Sequence, residues 1–133
     1  MAGRVLLDTN IVIALFDRET TVLQSLAQAD EVFIPSIVLG ELYYGAQKSS
    51  RAEANTQRVD QLVGRSTVLM CDGETARRYG IVKNLQRAKG RPLPENDIWV
   101  AAVALQHGLV LVSRDAHFNE IYGLPVITWH TEP

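Results

Sequence analysis

A chain of 133 residues is long enough for one compact domain and too short for two. Apolar residues at 47% and charged residues at 21% describe a globular chain, which excludes a disordered one. The single cysteine excludes an intrachain disulfide, and the net charge of −2 by itself neither favours nor disfavours nucleic acid.

Short apolar runs alternate with stretches of helical period. Val5-Leu6-Leu7 reads as a strand that ends abruptly at Asp8, after which Thr9 and Asn10 offer capping side chains to a helix through Phe16. The amphipathic stretch Thr21 to Ala29 precedes a strand, Val32-Phe33-Ile34. Pro35 stops that strand, and Ser36 is placed to cap a helix carrying Glu41, Leu42, Tyr43 and Tyr44. A polar helix, about Ala52 to Val63, leads to a strand over Thr67 to Met70, and Asp72 then caps a long basic helix fraying near Gly90. Arg91-Pro92-Leu93-Pro94 turns the chain into an apolar helix, Glu95 to His107, which Gly108 ends. The strands Leu109 to Val112 and Val126 to Trp129 complete the pattern.

Five strands separated by helices, with no two-residue hairpin signals, predict a parallel sheet in a three-layer α/β/α sandwich, one domain over residues 1–133. The longest apolar run, Ile98 to Leu105, is far too short to span a membrane, and Asp8 interrupts any signal-peptide core. The expectation is a soluble cytoplasmic protein, with Cys71 a buried thiol in a reducing compartment.

Four acids stand out by their positions. Asp8 directly follows one strand, and Asp115 follows another by three residues, where open parallel sheets carry their active crevices. Glu41 interrupts an apolar helix face, and Asp97 sits in the first turn of the most apolar helix. Each has an ordinary use too: Asp8 in a helix start, Asp97 against a helix dipole, Glu41 reaching to solvent, Asp115 capping a turn. One shared cause would serve all four. Two carboxylates about 4 Å apart repel by roughly 4 kcal/mol at an effective dielectric near 20, so a cluster calls for a counter-charge. Oxygen ligands without His or Cys select Mg²⁺ or Mn²⁺. His107, His117 and His130 lack paired ligand spacing and read as surface or packing residues.

The stretches VLLDTNIVI, ELYYG, NDIWVAA and VLVSRDAHF, in this order, resemble the PIN-domain family in its small prokaryotic form, the VapC-type toxins, over Val5 to Trp129. The resemblance implies strand order 3-2-1-4-5, which makes Asp8 and Asp115 neighbours. It implies a metal-dependent endoribonuclease of a type II toxin–antitoxin system, with Asp8, Glu41, Asp97 and Asp115 catalytic. Asp8, Asp97 and Asp115 would hold Mg²⁺ or Mn²⁺, and Glu41 would ligate metal or orient water. Ser113 occupies an auxiliary position, and Thr9 and Asn10 shape the site. Arg114 replaces a common Asn and bears on the rim. A VapB-type antitoxin, a homodimer and a higher-order toxin–antitoxin complex are implied with no membrane partner.

The charge distribution fits an RNA substrate. Residues 77 to 91 carry six basic side chains and no acid, leaving a net −8 elsewhere. Arg87, Lys89 and Arg91 are the candidate RNA contacts, the alternative being a solvated helix face. Tyr43, Tyr44 and Trp99 are candidates for base stacking, with core packing the competing use. Two rivals stay open: a phosphatase or phosphoacceptor domain using Asp8 as nucleophile, and a non-catalytic module on the same fold.

Overall fold

In the computed structural model, which describes residues 3–130, the strands are β1 (Arg4–Leu7), β2 (Glu31–Pro35), β3 (Thr67–Leu69), β4 (Val110–Val112) and β5 (Val126–Ile127). All pair in parallel, in the order β3-β2-β1-β4-β5. The helices are α1 (Thr9–Phe16), α2 (Thr20–Gln28), α3 (Ser36–Gln47), α4 (Ala52–Arg65), α5 (Gly73–Ala88) and α6 (Glu95–His107). Right-handed crossovers place α1 to α4 on one face of the sheet and α5 and α6 on the other. Most helix packing follows that division, with α1 meeting α2 and α3, α3 meeting α4, and α5 meeting α6, while α3 also meets α6.

The central strands are continuous apolar runs because both their faces are covered. Leu6, Leu7, Ile34, Leu111 and Val112 are wholly buried, joined by Ile11 and Val12 of α1 and by Ala101, Ala102 and Val103 of α6. Asp72 caps α5 as its sequence predicts. Its Oδ1 accepts the Thr75 N–H at 3.0 Å, and Thr75 Oγ1 accepts the Asp72 N–H at 3.0 Å. At the end of α6, Gly108 is left-handed at φ 63°, a conformation glycine adopts without a Cβ clash.

Some local expectations are corrected. Ser36 is the first helical residue of α3, not its cap; Pro35 holds that position with no side-chain capping bond. Cys71 is exposed, because it follows the edge strand β3 and has no layer over it. The last strand stops at Ile127 instead of reaching Trp129. The Arg114 side chain draws the chain out of the ladder there, with Nε donating to Thr128 O at 3.4 Å and Nη2 to Trp129 O at 2.7 Å. Trp129 is left-handed at φ 47°. The same guanidinium grips Glu19 at the start of α2 through two bonds of 3.1 and 2.9 Å. Arg114 thus faces away from the acids, tying the exit of β5 to α2.

Arg114→Ala is expected to lower stability by about 1.5–3 kcal/mol, the range for hydrogen bonds to charged groups. Arg114→Lys should recover less than half, since an ammonium cannot make the paired contact. Urea unfolding of the three proteins measures both.

Candidate active site

The site lies at the carboxyl end of the sheet, where β1 and β4 run side by side. Leu7 pairs with Val112, and the Asp8 N–H extends the ladder to Val112 O at 3.0 Å. The next residues on the two strands, Asp8 and Ser113, are therefore neighbours. Ser113 Oγ donates to Asp8 Oδ2 at 2.7 Å, and both residues are buried. Asp8 stands at the N-cap position of α1 but makes no side-chain capping bond, so its carboxylate is committed to the site.

Thr9 and Asn10 do not cap either. Thr9 Oγ1 donates to Glu41 Oε1 at 3.2 Å, across to α3. Asn10 Nδ2 donates toward Asp8 Oδ2 at 3.4 Å and Ser113 Oγ at 3.3 Å, while its Oδ1 accepts the Arg114 N–H at 3.1 Å. Asn10 thereby stitches the start of α1 to the loop after β4. Ser113 Oγ also accepts the Asp115 N–H at 3.1 Å, fixing where that acid begins.

The electrostatics report convergence of all four acids. Burial raises the pKa of Asp8, the Ser113 hydroxyl and Thr9 N–H offset part of this, and the charge of Asp115 adds to it. Burial also raises Glu41, with Thr9 opposing and the charge of Asp8 reinforcing. Asp97 is pushed up to about 6, first by burial and then by the charges of Asp115 and Asp8, against a lowering by His117. Among the described residues no lysine or arginine pairs with any of these four acids; their only ion-pair partner is His117.

His117 is exposed, as a surface residue is expected to be, and its ring also lies beside two of the acids. His117 Nδ1 lies 3.1 Å from Asp115 Oδ1 and 3.7 Å from Asp97 Oδ2. Asp97, Asp115 and His117 each offer a ligand atom, all within 4.8 Å of one another. The sequence signal was the Asp-x-His spacing after β4, which Asp115 makes useful: its Oδ1 accepts the His117 N–H at 2.9 Å and folds the chain back. Asp115 therefore caps the 3-10 turn Ala116–Glu120 as well as facing the cluster.

The basic stretch is less free than its charge count suggests. Arg77 and Arg78 pair with Glu74, Lys83 with Glu95, and Arg91 with Glu120. Lys89 Nζ donates to Glu120 O at 2.9 Å. Arg87 makes no such bond among the described residues. Trp99 stacks on Tyr79 with centroids 4.1 Å apart, and the Tyr43 hydroxyl donates to Asp60, so both are engaged within the fold. Tyr44 is exposed.

This sheet order and strand-end acid cluster agree with a family model, the PIN domain, that matches residues 5–124. The chain belongs to the PIN-domain family. Among similar PIN-domain proteins, Ribonuclease VapC2 of Haemophilus influenzae is 35% identical over 127 residues, covering 93% of this chain and 96% of that one. The tRNA(fMet)-specific endonuclease VapC of Shigella flexneri is 30% identical over 127 residues, with the same coverage. The solved structure of DNA-bound VapBC from Salmonella typhimurium contains a chain superposing with a TM-score of 0.89 at 29% identity, over 98% of this PIN domain and all of that chain.

The raised Asp97 pKa has a consequence for the cation-free protein. The folded state holds this proton more tightly than the unfolded chain, whose value is near 3.8. Ionising Asp97 therefore costs stability; the cost is absent below about pH 3.8, grows as pH rises, and is complete above about 6, at roughly 1–2 kcal/mol once solvent screening is allowed for. In EDTA at pH 7, Asp97→Asn is expected to be more stable than wild type by that order, with the gap closing by pH 4. Chemical unfolding across this range measures it, and equal stability at pH 7 would mean the charges do not converge.

Proposed function

We propose that this chain is a divalent-metal-dependent endoribonuclease, the toxin of a type II toxin–antitoxin system. The observation that carries the reading is four neighbouring carboxylates, none of which pairs with a lysine or arginine among the described residues. A hard divalent cation fits that donor set. Asp8, Asp97 and Asp115 are the proposed ligands, Mg²⁺ or Mn²⁺ the proposed ion. The nuclease names of the Haemophilus and Shigella relatives, and the near-complete mutual coverage, support RNA as substrate.

Bound there, the cation would supply water activation and positive charge opposite the reacting phosphate. The chain's residues set the geometry. Ser113 and Asn10 hold the Asp8 carboxylate in one orientation, so little reorganisation is needed when a charged substrate arrives. Thr9 holds Glu41 by one oxygen, leaving the other to orient a water as general base. Arg87, Lys89 and Arg91 are the proposed backbone contacts; Lys89 and Arg91 reach the 3-10 turn that begins at Asp115, beside the cluster. An Asp8 phosphoacceptor suits the geometry less well, because its buried carboxylate is already bonded to Ser113 and Asn10.

A VapB-type antitoxin is the proposed inhibitor, as the VapBC assembly of the Salmonella neighbour suggests. A cleft of about 270 Å³ runs from Thr9 and Glu41 to Phe16 and Arg58. There it meets a groove of about 730 Å³ lined by Leu15, Leu23, Leu26 and Leu62, with Arg18 and Arg65 also in the lining. An amphipathic antitoxin helix in the groove could extend a strand along the cleft and bring an arginine to the carboxylates. Homodimerisation is part of the same proposal, with exposed Ile81 and Leu85 one turn apart on α5 as its surface. No helix among the described residues is long and apolar enough to cross a membrane, and a cytoplasmic setting is proposed.

Purified protein should cleave mixed RNA with Mg²⁺ or Mn²⁺ and stop in EDTA. Asp8→Asn, Asp97→Asn and Asp115→Asn should each reduce cleavage by about 10²-fold or more while the circular dichroism stays native. Full cleavage by one variant removes that residue from the assignment, and cleavage in EDTA removes the metal. Leu62→Arg should retain cleavage yet escape the antitoxin, so that co-expression no longer relieves growth arrest.

A further inference from the structure

We propose that His117 is a metal ligand through Nδ1, making the site a mixed nitrogen–oxygen one that prefers Mn²⁺ to Mg²⁺. The proposal rests on the reading above that these carboxylates hold a divalent cation. It changes the chemistry of the site, because an oxygen-only set discriminates weakly between the two ions whereas an imidazole favours the transition metal.

The argument begins with where the chain puts the ring. His117 is the second residue of the 3-10 turn Ala116–Glu120, whose geometry is held at three points. Asp115 Oδ1 accepts the His117 N–H at 2.9 Å at the start. Phe118, wholly buried, anchors the middle. At the far end Lys89 Nζ bonds Glu120 O at 2.9 Å, and Arg91 pairs with the Glu120 carboxylate at 3.6 Å. A turn held in this way fixes the His117 backbone beside the acids.

Distances fit a common ion. Two adjacent ligand atoms, each about 2.1 Å from one cation, lie about 3 Å apart in octahedral geometry. Nδ1 stands 3.1 Å from Asp115 Oδ1 and 3.7 Å from Asp97 Oδ2, close to that edge before any ion draws the atoms in. The ring is half exposed, so Nε2–H can be satisfied by water. With the proton on Nε2, the Nδ1 lone pair faces the carboxylates and is free to ligate.

Mn²⁺ and Mg²⁺ themselves are the probes, with intact wild type and His117→Gln. Pulsed EPR of the Mn²⁺ complex should show imidazole ¹⁴N coupling in wild type and none in the variant. Calorimetry should show the Mn²⁺ dissociation constant rising about tenfold or more in His117→Gln, the scale of losses around metal sites. The Mg²⁺ constant should change less than twofold. Bound Mn²⁺ without ¹⁴N coupling in wild type would overturn the ligand role and leave the cation site standing. Equal weakening of both ions would overturn it too, by making His117 a prop for Asp115. Absence of Mn²⁺ binding to wild type would overturn this proposal together with the metal reading.

Discussion

The pairing of β1 with β4 is the constraint on which the site depends. These strands are adjacent in space and separated by more than a hundred residues, because the chain winds first one way from β1 to β3 and then crosses back to β4. Helices leave the sheet in opposite directions at that point and open a crevice between the strand ends. Leu7 opposite Val112 brings Asp8 opposite Ser113, and the 2.7 Å hydrogen bond between them gives a buried carboxylate its closest donor. A slip of one residue would send the Ser113 hydroxyl to the other face of the sheet and leave Asp8 without it. The register of two apolar strands is therefore also the geometry of the acid cluster.

Charge is sorted across the molecule in a way that keeps this cluster acidic. Among the described residues, five other acids have cations: Glu19 has Arg114, Glu31 has Arg4, Glu74 has Arg77 and Arg78, Glu95 has Lys83, and Glu120 has Arg91. Most of these pairs are exposed and individually contribute little to stability. They engage six basic side chains with acids outside the cluster. The fold tolerates the repulsion within the cluster because the residues beneath are wholly buried strands and α6, whose packing is indifferent to charge.

The loop after β4 serves three masters within three residues. Ser113 bonds back to Asp8, Arg114 turns outward to hold α2 and the end of β5, and Asp115 faces the cluster while starting the 3-10 turn. Alternation of side-chain direction in extended backbone lets consecutive residues act on opposite sides. Arg114 therefore affects the site through the backbone it holds, and its replacement of a smaller polar residue need not disturb the carboxylates.

Much was determined by the sequence alone, and the reason is local. Apolar runs of strand length, the Asp72–Thr75 capping box and Gly108 are short-range signals, and they placed five strands and six helices within a few residues. The acids stood out in the sequence because a charge just after a buried strand, or on an apolar helix, is costly when unpaired. The strand order came from resemblance to a family, since nothing in a periodicity says which strands are neighbours. Only the tertiary structure decided what Thr9, Asn10, Arg114 and His117 do. Their local preferences are for caps, rims and surfaces, and each also meets a partner distant in sequence: Glu41 for Thr9, Ser113 for Asn10, Glu19 for Arg114, Asp97 for His117. Side chains with several hydrogen-bonding options take the one that packing brings near, and packing is settled by contacts a linear reading cannot order.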